Sequence, residues 1–115
     1  MQAFRILLLI ILISIISYTT VTVSRHGLNL LPVFFGDIKE MAWPGQFNFD
    51  FLGYLILSAL WTAWRERFNA KGVILGLLAF FGGIFFLSAY LLFLSFQTKG
   101  DIAQIMLGDR VFEKT

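Results

Sequence analysis

Between Asn48 and Gln97 two apolar segments are separated by one short charged turn, Arg65-Glu66-Arg67-Phe68-Asn69-Ala70-Lys71. Segments of this length, charged only towards their ends, have few ways to fold in water. In hydrocarbon every backbone amide must be bonded within its own segment, and the pattern reads as a transmembrane helical hairpin. The rest of the chain is accessory to that hairpin. Of its 115 residues 58% are apolar and only 14% charged, against about a quarter charged in a soluble domain. The apolar residues fall in three blocks, so the expectation is an all-α polytopic membrane protein folding as a single transmembrane domain over 1–115. Its three transmembrane helices are expected at about 4–23, 49–67 and 72–97, with short interfacial helices at about 32–41 and 101–107.

The first block, about Phe4 to Val23, matches a hydrocarbon core of roughly 30 Å at 1.5 Å per residue. No small-residue cleavage site follows it, so it reads as an uncleaved anchor rather than a signal peptide. Ser14, Ser17 and Tyr18 share one face; they read as a polar track or, more plainly, as hydroxyls bonded to backbone or to a neighbouring helix. Arg25, His26 and Gly27 end this helix. Pro32 then opens a short amphipathic stretch with Phe34, Ile38 and Met41 on one face and Asp37, Lys39 and Glu40 away from it, as suits a helix lying among headgroups. Trp43-Pro44-Gly45 reads as a turn, with Trp43, Phe47 and Phe49 as an aromatic belt.

Asn48 or Asp50 is expected to cap the second span. At its far end Trp61 and Trp64, with Arg65 and Arg67, form an interface anchor. Ala59 and Ala63 would admit a close neighbour. The third block is about 40 Å long as a helix, so it must tilt, bend or emerge, and Gly82-Gly83 is where bending is easiest. Gly72, Gly76, Ala79 and Gly83 make a small-residue stripe for close helix packing. The Phe80, Phe81, Phe85 and Phe86 rings around it read as packing bulk or a lipid-facing surface. After Lys99, Asp101 caps and Gly108 ends a two-turn helix.

Three basic residues against one acidic in the shortest loop put the 65–71 turn in the cytoplasm, with the N-terminus beside it. Alternation puts loop 24–48 and the C-terminus outward. Four stretches resemble a small uncharacterised family of bacterial three-span inner-membrane proteins. They are Pro-Val-Phe-Phe-Gly-Asp at 32–37, Trp-Pro-Gly-Gln-Phe-Asn at 43–48 with Asp50, Leu-x-x-x-Trp-x-x-Trp-Arg at 57–65, and Gly-Asp at 100–101. The resemblance implies a three-span helical protein of the inner membrane and carries no catalytic residue.

The chain has no cysteine and one histidine, which removes thiolate metal sites, disulfides and multi-histidine sites within one chain. The glycines have no phosphate-loop spacing. No cofactor is expected, nor nucleic acid, since the basic residues stand at span ends. An outer polar cluster of Arg25, His26, Asp37 and Asp50 is a candidate for chemistry and Asp37 with Glu40 a candidate cation pair, and as solvated surface neither needs a function. Spans without ionisable groups at depth argue against an ion-coupled pump. The leading expectation is a non-catalytic protein working through helix packing, with the bilayer and other transmembrane helices, self or partner, as its contacts. The rival is an oligomeric channel or facilitator lined by Ser14, Ser17, Tyr18, Ser58 and Thr62.

Overall fold

The computed structural model describes residues 1–112. They form five α-helices, α1 (Gln2–His26), α2 (Leu30–Glu40), α3 (Trp43–Arg65), α4 (Ala70–Gln97) and α5 (Ile102–Leu107), followed by a 3-10 turn, Gly108–Phe112. The chain is all-α. By length and composition two helices suit a membrane crossing, Gln2–His26 and Ala70–Gln97, rather than the expected three. Trp43–Arg65 is not among them, because its first two turns carry Gln46, Asn48 and Asp50.

Two boundaries differ from expectation for one reason. Proline lacks an N–H, and the first turn of a helix has N–H groups without partners anyway, so proline sits there comfortably. Thus α2 begins at Leu30, before Pro32, and α3 begins at Trp43 with Pro44 in its first turn. Trp43-Pro44-Gly45 is therefore helix rather than turn, and neither Asn48 nor Asp50 is a cap. Asn48 instead donates to the Phe34 carbonyl at 3.2 Å and to Asp37 Oδ2 at 3.4 Å, tying α2 to α3. Gly45 is buried at this crossing because a Cβ there would collide with the Asp37 backbone.

Beyond the 65–71 turn, Asn69 Oδ1 accepts the Gly72 amide at 2.7 Å and starts α4. The first half of α4 (70–82) then runs antiparallel to α3 on its small residues. A Cβ added to Gly76 would fall 3.1 Å from the Ala59 carbonyl oxygen and 3.4 Å from the Ala63 Cβ. Gly72 meets Glu66 and Ala63, Gly83 meets Phe51 and Leu55, and Ala79 is wholly buried. The stripe read from the sequence is thus filled by the chain's own α3.

At Gly83 the helix breaks, with φ 56° and ψ −138°, a conformation open to glycine and strained for any other residue. Beyond this break the chain turns back. Glu66 lies against Gly72 and also accepts a hydrogen bond from the Tyr90 hydroxyl at 2.7 Å, whereas a straight helix would hold residues 72 and 90 about 27 Å apart. The expected third span at 72–97 is therefore a helical hairpin with its tip at Gly83, and Gln97 returns to the level of Lys71.

The second half (84–97) lies against α1. Arg5 donates to Ser95 Oγ at 3.0 Å and to the Ser95 carbonyl at 2.7 Å, with its guanidinium 4.0 Å from the Phe96 ring centre. Gly100 sits beside Met1. The N-terminus, the 65–71 turn and the C-terminal segment share one end of the molecule, which corrects the expectation that the C-terminus lies opposite the other two. The cause is the reversal at Gly83. A small core of Tyr90, Leu94 and Ile105, with Trp61, Leu75, Phe86 and Leu91 against it, holds the hairpin, α3 and α5 together.

Candidate functional site

Arg65 is the centre of the shared end. Its position in the last turn of α3 puts it beside the core, only 7% exposed. It was expected to anchor in headgroups, and the structure corrects this. Nε donates to the Ile105 carbonyl at 2.6 Å and Nη2 to the Gln104 carbonyl at 3.1 Å. The Ile105 carbonyl lies in the last turn of α5, where helical partners run out, and the Gln104 carbonyl also accepts the Gly108 amide, so the guanidinium adds to the cap of that helix. Nη1 pairs with Glu66 Oε1 at 2.8 Å and reaches the Tyr90 hydroxyl at 3.4 Å. Arg65, Glu66 and Tyr90 thus form a closed network in which each charge has its partner, the condition for keeping ions out of water.

The two tryptophans of the expected anchor hold the same C-terminal segment. Trp61 Nε1 donates to the Met106 carbonyl at 3.0 Å. Arg110 Nε donates to the Trp64 carbonyl at 3.1 Å while its guanidinium lies 4.4 Å from the Trp64 ring centre. Residues 98–112 are therefore a strap tied across the ends of α3 and α4. Arg67 is exposed in the turn, and Trp43 is exposed at the opposite end, its ring centre 6.0 Å from that of Phe47 at an interplanar angle of 32°.

Between the strap and the turn lies a cleft of about 250 Å³ lined by Arg65, Glu66, Arg67, Asn69, Lys71, Gln97, Gln104, Gly108 and Asp109. Lys71 is exposed, and its ammonium makes no hydrogen bond or ion pair among the described residues. The first turn of α4 opens onto the cleft and adds the partial positive charge of a helix N-terminus.

The candidate outer cluster is not assembled. Arg25 and His26 lie along α1, in a groove with Ser14, Ser17, Tyr18, Val21 and Thr22. Asp50 instead borders a hollow with Ile38, Met41 and Phe49, and Asp37 is bonded to Asn48. No hydrogen bond or ion pair joins the four among the described residues, and no three potential metal ligands gather. The five hydroxyls of the channel expectation fall in two groups, one on α1 and one on α3. Thr62 is buried and donates to the Ser58 carbonyl at 2.8 Å, while Ser14, Ser17 and Tyr18 are exposed on α1.

Tyr90, Gln97, Gln104, Asp109 and Arg110 belong to this end, and the sequence pattern did not single them out. Only Tyr90 carried a signal, since a phenol deep in an apolar run needs a hydrogen-bond partner. Comparison of the chain with protein-family models, curated proteins and solved structures finds no match.

Proposed function

We propose that the chain is a non-catalytic integral membrane protein that works through helix packing, as a self-associating or accessory subunit of a membrane assembly. The observation that carries this reading is its inverted polarity. Thr62, Arg65, Ser88, Ser95 and Thr98 are buried, while Ile6, Ile10, Ile13, Leu57, Leu77, Phe81 and Phe93 are each more than half exposed. In water such a surface would aggregate; in lipid it is the expected solvent-facing side. On this reading α1 crosses the bilayer, α3 crosses with its polar first two turns at the surface, and α4, apolar and long enough in total, is re-entrant because each half beside Gly83, about 20 Å long, falls short of a roughly 30 Å core. The bacterial inner membrane comes from the sequence resemblance, and the basic end faces the cytoplasm by the positive-inside rule.

The surface that needs a neighbour is α1. Thr20, Thr22 and Ser24 donate to their own helix backbone, but Ser14, Ser17 and Tyr18 stand exposed on a face that continues to Arg25 and His26. Polar groups facing acyl chains favour an interhelical partner by about 0.5–2 kcal/mol each. Replacing Ser14 and Ser17 together by leucine is expected to release the full chain from its detergent-solubilised assembly, seen as a fall in mass by light scattering. An unchanged mass would remove the reading. A polar path between copies along the same groove is the second reading, and solute flux above that of protein-free liposomes would favour it.

A further inference from the structure

The end of the molecule opposite the strap leaves two opposite charges unused on two different helix faces. The geometry points to a second copy of this chain as the occupant of both. In that contact α1 of one copy lies along the outward face of α3 of the next, with Arg25 of the first paired to Asp50 of the second.

Arg25 and Asp50 make no hydrogen bond, ion pair or ring contact among the described residues. Of the other acids at this end, Asp37 is bonded to Asn48 and Glu40 adjoins Lys39 in sequence. Asp50 is different, because it stands on α3 between the exposed rings of Phe47 and Tyr54. A carboxylate set in an apolar surface beside lipid is costly without a cation next to it. Arg25 ends the exposed α1 face that carries Ser14, Tyr18 and Val21. Within the chain α1 packs on α4, and α3 packs on α2 and α4, so both faces stay open.

The two faces match in depth, spacing and slope. Phe85 shares a groove with Thr20 and Val23 of α1, and Gly83 beside it meets Phe51 and Leu55 of α3. Counting outward from these contacts puts Arg25 and Asp50 within about 5 Å of one level. Residues 14, 18, 21 and 25 of α1 and 47, 50, 54 and 57 of α3 alternate steps of three and four, the 3.5-residue period of helices that stay in register side by side. The two helices run in opposite directions, and helical side chains lean towards their own N-terminus. Arg25 therefore leans inward and Asp50 outward, and they converge. Copies in one bilayer share an orientation, so each face meets its partner at the depth it already has. Pairing α1 with α1 instead would set Arg25 against Arg25, which the charges disfavour.

The inference rests on the packing reading, and charge exchange in the full chain tests it. Two differently tagged copies are solubilised together in mild neutral detergent, and co-purification of the tags is followed on dilution. Arg25→Asp alone and Asp50→Arg alone should each weaken self-association about tenfold. A copy with Arg25→Asp mixed with a copy with Asp50→Arg brings opposite charges together at both contacts and should associate as the parent does. Cysteine cross-linking in the native membrane reads the same contact without altering a charge. Tyr18→Cys on one copy should join Tyr54→Cys on another, and should not join Ile56→Cys, at nearly the same depth on a different face of α3.

Single charge variants that associate like the parent, or no recovery on mixing together with no cross-link to position 54, overturn the inference. A cross-link between position 18 of both copies alone would do so too, while leaving the packing reading in place with α1 against α1. A monomeric parent without any cross-link overturns the inference and leaves the packing reading only as an accessory subunit. Retention of a different chain, lost in Arg25→Asp, would then give the α1 face to that partner.

Discussion

Arg65 shows how little a residue's neighbours in sequence reveal of its work. Beside Trp61, Trp64 and Arg67 it has every mark of a headgroup anchor, yet its donors serve two α5 carbonyls and Glu66. A lysine keeps the charge but lacks the planar fork that reaches several acceptors at once, so the two are not equivalent here. Arg65→Ala is expected to cost up to about 3–5 kcal/mol, by leaving the partly buried Glu66 with only the Tyr90 hydroxyl and the α5 carbonyls without their donor. Arg65→Lys should lie between that variant and the parent. Thermal unfolding in detergent measures the loss, and faster tryptic cleavage after Lys99 identifies it as release of the strap. A lysine variant as stable and protease-resistant as the parent would return Arg65 to the role of a lipid anchor.

The helices were legible in the sequence to the extent that local chemistry sets them. The apolar run and Gly27 mark α1, Asp101 and Gly108 mark α5, and the small residues of α4, which the pattern offers to another helix, lie against α3 of the same chain. The direction of the chain after Gly83 was hidden. Two adjacent glycines admit a bend, but its angle depends on Tyr90 finding Glu66 and on Leu94 meeting Ile105, contacts remote in sequence. The same limit hid the cleft, whose walls come together only once α4 has reversed. With no cysteine in the chain, a pair placed at Lys71 and Gln97 tests the reversal directly. Both positions line one cleft, whereas a straight helix would part them by about 39 Å. A short bismaleimide should therefore join them within one chain, shown by an internal cross-link in the digest at monomer mass. Absence of that product, with both thiols labelled singly, would restore the straight rod.

For the whole molecule, reversal of α4 decides where the charges stand. Arg5, Arg65, Arg67, Lys71, Lys99 and Arg110 gather at one end, and only Arg25 and Lys39, among the described residues, stand at the other beside Asp37, Glu40 and Asp50. Three straight spans would divide the basic residues almost evenly across the bilayer, whereas the re-entrant arrangement gives one basic face and one mildly acidic face. If the chain spans a membrane as proposed, the rule that short cytoplasmic segments hold the lysines and arginines would put the strap on the cytoplasmic side. Single cysteines at Glu40, Lys71 and Asp109 separate the two topologies. In intact cells a membrane-impermeant maleimide should label Glu40→Cys, while Lys71→Cys and Asp109→Cys react only after the membrane is opened. Labelling of Asp109→Cys together with Glu40→Cys from outside would put the C-terminal segment across the bilayer from the 65–71 turn. That would be incompatible with an Arg65 bonded to Ile105 and a Trp61 bonded to Met106.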